Sequence, residues 1–283
     1  MTDTRTRTRS THTAERPAAF DRPLRATVTR VARTSPHVVT VTIGGPDLRG
    51  FRSAGPDEWF RLFLPREGQR RPLLPTAGGS GREWWEQVCA MPEADRPIVR
   101  NYTIRRHHPA TDELDVEFML HDDEGPASGW AARARPGDEL GLLLQGAPYD
   151  ASHPAPWRLL AGDETALPAM SAIVESLPTG ARAHVFALVP EPADTRELTT
   201  LGDVHITWVC RDRVDGDGRA ALVDAVRRAS LPAGQPYAWL AGEAGLVRDL
   251  RRHLLGERGV DKDAVCFLAY WRHRDTDPAA VEA

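Results

Sequence analysis

Residues 157–177 read WRLLAGDETALPAMSAIVESL and decide the fold of the second half of the chain. The apolar run Trp157–Ala161 has the length of a buried strand. The small and polar residues after it predict a tight turn, and a helix is expected near 164–177. A buried strand that passes through a short turn into a helix is typical of a parallel α/β sheet.

The same alternation of strand and helix patterns continues toward the end of the chain. Further apolar runs of strand length alternate in part with amphipathic helical segments. The runs are His184–Val189, Val204–Cys210, Tyr237–Ala241 and Val265–Trp271, and the helical segments lie near 218–229 and 245–256. These elements predict a parallel sheet covered by helices, over residues 156–274.

The first half of the chain has a different pattern, because apolar residues recur there at every second position. This alternation, clearest over 38–43, 60–64 and 114–120, is typical of half-buried strands in an antiparallel sheet or barrel. We expect this domain to cover residues 20–150. The Gly-, Pro- and Arg-rich segment 65–97 is expected to form a long excursion that Trp84 and Trp85 fold back onto the body.

The ends of the chain and the stretch between the two patterns are expected to lie outside the folded domains. Residues 1–19 alternate Thr and Arg without apolar partners, so nothing offsets the entropy cost of ordering them. A disordered tail is predicted there, and a second tail over 275–283. Residues 150–156, DASHPAP, predict a linker.

Composition excludes several classes of protein. A length of 283 residues favours two domains, and a net charge of −4 argues against a nucleic-acid partner. No apolar run approaches the roughly 20 residues of a membrane span. Cys89, Cys210 and Cys266 stand far apart, which argues against a metal site, a disulfide framework and an iron–sulfur cluster. Any redox chemistry then needs a bound organic cofactor, and a cytoplasmic location is expected.

The segment RNYTIR, from Arg100 to Arg105, contains the residue types of a flavin site. Tyr102 offers a flat ring for the isoalloxazine, and Thr103 a small hydrogen-bonding group near its reactive nitrogen. The two arginines offer cations for a pyrophosphate. On a regular strand Tyr102 and Thr103 face opposite sides, so both serve one ligand only on a twisted, bulged or edge strand. The alternative is an amphipathic strand with surface arginines.

A second segment, HDDEGPASGWAAR, runs from His121 to Arg133 and follows the clearest strand pattern. Gly125 permits close backbone approach, and Pro126 suits the first position of a helix. A helix N-terminus presents free N–H groups and the positive end of the helix dipole, so it can hold a pyrophosphate. The alternative is a capped surface helix with Trp130 in the core.

Two further turns follow strands of the predicted parallel sheet. AGDETALPA at 161–169 and LAGEAG at 240–245 each lead from a strand into a helix, where α/β folds bind nucleotides. The usual GxGxxG fingerprint is absent. Either segment could also be only a tight turn.

In this order, the four segments resemble the siderophore-interacting protein family of the ferredoxin-reductase-like flavoproteins. The resemblance covers residues 22–274, and its strongest parts are RPIVRNYTIR, HDDEGPASGWA, GDETALPA and GEAGLVRDLRRHLLGERGV with the later YWR. The fold it implies is an antiparallel six-stranded β-barrel that binds FAD, followed by an α/β domain with a parallel sheet that binds NADPH or NADH. The rings of the two cofactors are then expected to meet between the domains.

The resemblance also implies roles for residues at matching positions. The residues that match the flavin motif are Arg100, Tyr102, Thr103 and Arg105, and those that match the FAD phosphate region are His121, Gly125, Ala127 and Ser128. The residues that match the first nucleotide turn are Gly162, Asp163, Glu164 and Thr165, and those that match the second are Gly242, Glu243 and Ala244. The implied activity is transfer of electrons from NAD(P)H through FAD to a ferric siderophore, with release of Fe(II). Thr103 would lie near the reactive edge of the flavin.

Substrate contacts are expected from arginines. The family tail usually reads Gly-Tyr-Trp-Arg-x-Gly, whereas Ala269 and Arg274 replace both glycines here, and Arg61 stands where the family often has lysine. Arg61, Arg272 and Arg274 are the predicted substrate cations. Lys262 is the only lysine among 36 basic residues, so an arginine is weak evidence for a specific role.

NADPH is expected to be preferred over NADH, because Arg211 and Arg213 follow a strand end that can reach the adenosine ribose. Two alternatives to the siderophore reductase stay open. One is an NAD(P)H-flavin reductase that serves a partner oxygenase, and the other is a binding module for FAD or siderophore without turnover. A monomer is expected, and the sequence does not identify the siderophore.

Overall fold

The computed structural model describes residues 20–76, 78, 81–120 and 125–272. These residues form two compact units, each described by itself below. The first unit extends to Ser152, except for Ser35–Val38, which group with the second unit from His153 onward. The predicted tails, 1–19 and 275–283, lie outside the described residues.

Seven described strands form the sheet of the first unit. Their order is β4-β3-β7-β1-β2-β6-β5, and the ladders β1–β7, β3–β4, β3–β7 and β5–β6 are antiparallel. The strands are β1 Leu24–Ser35, β2 Val38–Gly44, β3 Trp59–Leu64, β4 Ile98–Thr103, β5 Arg106–His108, β6 Glu113–Met119 and β7 Glu139–Gly146. The antiparallel class is confirmed.

The count of six strands and the closed barrel are corrected, because the sheet order has two ends, β4 and β5. These two strands are separated only by Ile104 and Arg105. The Ile104 N–H donates to the Glu58 carbonyl beside β3, whereas the Arg105 N–H donates to the Asp115 carbonyl on β6. The chain therefore changes partner between these two residues, and one expected strand becomes two.

Two helices accompany this sheet, α1 Glu83–Ala90 and α2 Pro126–Arg133. α1 lies within the predicted excursion, and its Trp84 packs edge-on against Phe63 of β3, with ring centroids 5.9 Å apart. Trp84 thus fixes the excursion to the sheet, as expected. Trp85 contacts Trp84 but stays 43% exposed, so it does not share that role.

The second unit contains five parallel strands in the order β10-β9-β8-β11-β12. They are β8 Arg158–Gly162, β9 Arg182–Val189, β10 Asp203–Cys210, β11 Tyr237–Glu243 and β12 Val265–Trp271. All seven residues of β11 are buried, as expected for the inner strand of a sheet covered on both faces. The predicted α/β class is confirmed.

Helices connect these strands. They are α3 Leu167–Glu175, α4 Gly218–Arg228 and α5 Ala244–Arg252. A 3-10 turn over Glu164–Ala166 precedes α3, and a π-helical stretch over His253–Glu257 continues α5. Within the described ranges no helix is long and apolar enough to span a membrane.

Candidate flavin and nucleotide sites

Tyr102 belongs to an aromatic cluster in the first unit. Its ring lies 4.3 Å from that of Phe118 on β6, and Phe118 lies 5.7 Å from Trp130 of α2. Burial raises the pKa of the Tyr102 phenol, so this group stays neutral and offers a polar edge on an apolar ring. The cluster joins β4, β6 and α2, and so connects the two predicted flavin segments.

Thr103 lies on the other face of β4. The β3–β4 register is regular, with Tyr102 opposite Phe60 and Thr103 opposite Trp59. The two side chains therefore alternate across the strand. β4 stands at one end of the sheet order, so the edge-strand condition for both residues to serve one ligand is met.

The two arginines of the segment have different surroundings. Arg100 is exposed, and its guanidinium donates to the adjacent Val99 carbonyl. Arg105 is buried, and its Nε lies 3.5 Å from the Glu117 carboxylate. Arg100 is therefore the more accessible cation for a phosphate, while Arg105 ties the strand break to β6.

α2 begins as the sequence predicts, at Pro126. Gly125 occupies the N-cap position, and among the described residues no side chain caps this terminus and no acidic residue lies in the first turn. Ala127 and Ser128 are buried. The first N–H groups and the positive end of the helix dipole at such a terminus suit an anion. His121, the remaining residue of this set, lies outside the described residues.

These groups fit FAD by their chemistry. α2 packs against both β4 and β6, so its N-terminus belongs to the same body as Arg100 and Tyr102. Free N–H groups and a guanidinium suit a pyrophosphate, and an aromatic ring suits the isoalloxazine. Here FAD would be held by Arg100, Tyr102 and the start of α2, with Thr103 next to Tyr102 at the end of β4.

The predicted substrate residue Arg61 has intramolecular partners. Its guanidinium lies 4.7 Å from the Trp59 ring centroid and 5.4 Å from that of Trp84, and it donates to the Asn101 side chain. Burial lowers the pKa of Arg61. Contact with a substrate anion would have to compete with these interactions, and its role as a substrate residue stays a prediction.

In the second unit, the two predicted nucleotide turns meet at one place. β8 and β11 are neighbours, and the strand order reverses between them, which is where open α/β sheets bind ligands. A Cβ on Gly162 would lie 2.4 Å from the Ala241 carbonyl oxygen, and one on Gly242 would lie 2.5 Å from Asp163 Oδ2. Gly242 also has φ +127. Only glycine permits this close approach.

Asp163 connects three strand ends at this switch point. Its Oδ1 accepts from the N–H and hydroxyl of Thr165, and its Oδ2 accepts from the Glu243 N–H at 2.6 Å and from Trp271 Nε1 at 3.0 Å. Burial, with the neighbouring Glu164 carboxylate, raises the pKa of Asp163, while these donors act in the opposite direction. The carboxylate thus fixes the ends of β8, β11 and β12 to one another.

Glu243 caps the helix that begins beside it. Its Oε2 accepts from the Leu246 N–H at 2.9 Å, and Arg219 lies 3.8 Å from the same oxygen. Oε1 is buried and has no hydrogen-bond partner within the described residues. Ala244 is the first residue of α5. One oxygen of Glu243 therefore holds the helix, and the other is buried without a hydrogen-bond partner among the described residues.

Glu164 is paired with a residue that the sequence analysis had expected to contact the nucleotide. Arg211 was expected to contact the 2′-phosphate of NADPH. Its guanidinium instead donates to both oxygens of the buried Glu164 carboxylate, at 3.2 and 2.9 Å. Arg213 is exposed. Of these two arginines, Arg213 is the one left accessible to a phosphate.

The end of β12 holds a residue that was not in the predicted site. Trp271 donates to Asp163 and is 38% exposed. In the sequence Trp271 is part of the YWR segment near the C-terminus, which was used only to support the resemblance to the family. Arg272 follows it and is exposed, whereas Arg274 lies outside the described residues.

Comparison with known proteins assigns the chain to a family. Residues 27–148 match the siderophore-interacting FAD-binding domain, and residues 155–274 match the siderophore-interacting protein domain. The chain belongs to the siderophore-interacting protein family. The first match contains the Tyr102 cluster and α2, and the second contains both turns of the switch point, so both candidate sites of this siderophore-interacting protein lie within its family domains.

Its relatives align over nearly the full chain. Ferric vibriobactin reductase ViuB of Vibrio cholerae is 30% identical over 250 residues, covering 88% of this chain and 89% of ViuB. The NADPH-dependent ferric-chelate reductase of Escherichia coli is 32% identical over 248 residues, covering 87% and 91%. The crystal structure of SipS from Aeromonas hydrophila is 33% identical, with a TM-score of 0.74 and coverage of 90% and 93%.

Proposed function

We propose that this siderophore-interacting protein is a ferric-siderophore reductase that takes electrons from NAD(P)H through FAD. The observation that carries the proposal is the pairing, in one chain, of a flavin-type site around Tyr102 and α2 with a nucleotide-type crevice around Asp163. The similarity of this protein to ViuB and to the E. coli relative supports the proposal, since both are named ferric reductases. FAD, when bound, accepts a hydride and passes on electrons singly.

The residues of this chain contribute binding and orientation. Arg100 and the start of α2 hold the pyrophosphate of FAD, and Tyr102 supports its ring system. At the other site, Asp163 and Glu243 keep the switch-point crevice in shape for the nucleotide. No general base or nucleophile is required, because one NAD(P)H and two Fe(III) give NAD(P)⁺, one proton and two Fe(II) by hydride and electron transfer alone.

Iron release follows from the ligand preferences of the two oxidation states. Siderophore oxygens are hard ligands that favour Fe(III) over Fe(II), so reduction weakens the complex. Ferric catecholate and carboxylate siderophores are anionic, which suits cationic contacts. We propose Arg272 as the accessible contact, with Arg61 and Arg274 as further candidates.

We further propose NADPH as the preferred donor, with Arg213 contacting the 2′-phosphate. The exposure of Arg213 and the pairing of Arg211 with Glu164 support this choice. The protein is proposed to act as a monomer in the cytoplasm, where NADPH is supplied. Size-exclusion chromatography with light scattering tests the monomer.

Two half-reactions, followed anaerobically, test the proposal. The purified protein should be yellow, and NADPH should bleach the flavin absorbance near 450 nm. Addition of a ferric siderophore should restore the absorbance and yield Fe(II). Absence of bound flavin would contradict the flavin site, and a bleached flavin that no ferric siderophore reoxidises would favour a flavin reductase serving another partner.

A further inference from the structure

Two histidines lie side by side on the parallel sheet of the second unit. His184 lies near the start of β9 and His205 near the start of β10, and the two are register partners in the parallel ladder. Residues in register on neighbouring strands project from the same face of a sheet, so the two imidazoles are neighbours. Their ring centroids lie 5.5 Å apart. The strand register thus joins two side chains that are far apart in the sequence.

A cavity of about 470 Å³ opens beside this histidine pair. It is lined by the pair itself, by the next two register partners, Phe186 and Thr207, and by the end of α4 with the residues that follow it. His205 is exposed and His184 is half-buried, so a solute can reach both rings. The cavity lies at the amino ends of β9 and β10, whereas the switch-point crevice lies at the carboxyl ends of β8 and β11.

The ring nitrogens of the pair are not engaged by the protein. Within the described ranges neither imidazole has a hydrogen-bond partner, and the further ring contact of His184 is edge-on packing against Trp157. Burial and the neighbouring His205 lower the pKa of His184 by more than the Asp203 carboxylate raises it. His184 is therefore neutral at neutral pH, and neutral imidazole is the form that binds metal ions.

The separation of the two rings suits a shared ion. A metal lies about 2.0–2.1 Å from an imidazole nitrogen that binds it, so its distance from the ring centre is roughly 3 Å. Two imidazoles on one ion therefore have ring centres roughly 5–6 Å apart. The observed 5.5 Å lies in this range, and water can fill the remaining coordination positions in a cavity of this size.

The charges around the cavity are compatible with a cation. Asp203 precedes His205 by two residues on the same strand, so its carboxylate lies on the same face. It is 83% exposed, and its distance to the Arg182 guanidinium is 3.9 Å. Arg228 also lines the cavity, but it is paired with Asp224 at 3.2 Å.

We infer that His184 and His205 form a binding site for one divalent transition-metal ion of the kind that prefers imidazole nitrogen, such as Zn²⁺ or Cu²⁺. The inference does not depend on the proposed reductase function, because the pair lies at the opposite edge of the sheet from the switch-point crevice. An ion bound there takes no part in electron transfer.

Isothermal titration of untagged, FAD-loaded protein with Zn²⁺ tests the site. His184→Ala and His205→Ala should each weaken the binding of one Zn²⁺ at least about tenfold, because one imidazole alone holds the ion poorly. The double variant should bind Zn²⁺ no more weakly than either single variant, since the two rings serve the same ion. Circular dichroism checks that each variant folds.

A second group of possible ligands supplies the matched control. His37, Glu191 and Asp194 place three ligand atoms within 4.8 Å of one another, but Nδ1 of His37 is already hydrogen-bonded to Asp194 at 2.7 Å. His37→Ala should therefore leave Zn²⁺ binding unchanged. Mg²⁺ prefers oxygen ligands, so an excess of Mg²⁺ should not displace Zn²⁺ from the histidine pair.

Anomalous scattering at the zinc edge, from crystals of the wild-type protein, should place an ion between the two rings. Unchanged Zn²⁺ binding in His184→Ala and His205→Ala would overturn the site, as would an equal loss in His37→Ala or displacement by Mg²⁺. Absence of Zn²⁺ binding by the wild-type protein would overturn it too. The proposed reductase would stand in each case, because its tests measure flavin, NADPH and Fe(II).

Discussion

The Arg211 guanidinium forms a two-pronged ion pair with the buried Glu164 carboxylate, with N–O distances of 3.2 and 2.9 Å. Arg211 follows β10, and Glu164 follows β8, so the pair links the carboxyl ends of strands on either side of β9. This arrangement gives Arg211 a structural role that the sequence had not indicated.

Removal of Arg211 should destabilise the protein. Arg211→Ala leaves the Glu164 carboxylate buried without its cation, which we expect to cost about 2 kcal/mol, given that Arg211 is itself 40% exposed. The melting temperature of the FAD-loaded protein should fall by several degrees, and Glu164→Gln in the same chain should recover part of the loss. Equal melting temperatures for Arg211→Ala and the exposed-site variant Arg213→Ala would contradict this role.

Arg213 should instead set the preference for NADPH. Arg213→Ala is expected to lower the ratio of kcat/KM for NADPH over NADH about fivefold, the equivalent of about 1 kcal/mol for an exposed ion pair. NADH kinetics should not change, since NADH lacks the 2′-phosphate. Arg228→Ala, at the C-terminus of α4, controls for general loss of positive charge. An unchanged ratio in Arg213→Ala would rule out this contact.

FAD retention should depend on the Arg100–Arg105 segment. The double variant Arg100→Ala, Tyr102→Ala should fold but purify with little FAD, because it lacks the exposed cation and the aromatic ring of the site. The ratio of absorbance at 450 nm to that at 280 nm measures the loss, and circular dichroism checks the fold. Arg106→Ala, an exposed arginine on β5, is the control. Normal flavin content in the double variant would refute the assignment.

Salt should affect anionic and neutral substrates differently. The efficiency with an anionic ferric siderophore should fall as salt rises, because mobile ions screen attraction over about 8 Å at physiological ionic strength. A neutral hydroxamate complex should respond much less. Arg272→Ala and Arg274→Ala should each flatten the salt dependence for the anion without loss of FAD, whereas Arg228→Ala should not. Identical salt responses of both substrates would eliminate a cationic substrate site.

A side chain at Gly242 should destabilise the protein, because the ends of β8 and β11 lie very close together there. Gly242→Ala places a methyl group 2.5 Å from Asp163 Oδ2 at a backbone φ of +127, so we expect a loss of at least about 2 kcal/mol. Gly256→Ala, where a Cβ meets no atom within 4 Å, is the control and should not lower the melting temperature. Equal stability of the two variants would show that the switch-point crevice is looser than described.

Patterns of hydrophobicity were enough to predict the classes of both sheets. The apolar runs of β9 and β11 match strands that are buried along nearly their whole length, whereas β10 and β12, at the two ends of their sheet, are only partly buried. In the first unit, β2 and β6 are buried more fully than their alternating pattern indicated. The hydrophobic pattern did not predict the break between β4 and β5. Ile104 and Arg105 continue the strand pattern, and their different partners, Glu58 and Asp115, lie far from them in the sequence.

The sequence predicted which residues belong to the candidate sites, but it did not predict their hydrogen-bond and ion-pair partners. Gly162, Asp163 and Gly242 were expected at the turns, and the structure brings them together. The ion pair of Arg211 with Glu164 and the hydrogen bond of Trp271 with Asp163 join residues 47 and 108 positions apart. Contacts of this range depend on strand order, which the spacing of residues along one chain does not reveal.

Stoichiometric trapping of Fe(II) tests the proposed reductase most directly. FAD-loaded protein, NADPH, a ferric siderophore and a ferrous chelator are combined without oxygen and without added free flavin. Because a hydride carries two electrons and each Fe(III) accepts one, two Fe(II) should be trapped for each NADPH oxidised. NADPH oxidation without Fe(II), or Fe(II) only after free flavin is added, would contradict a siderophore reductase.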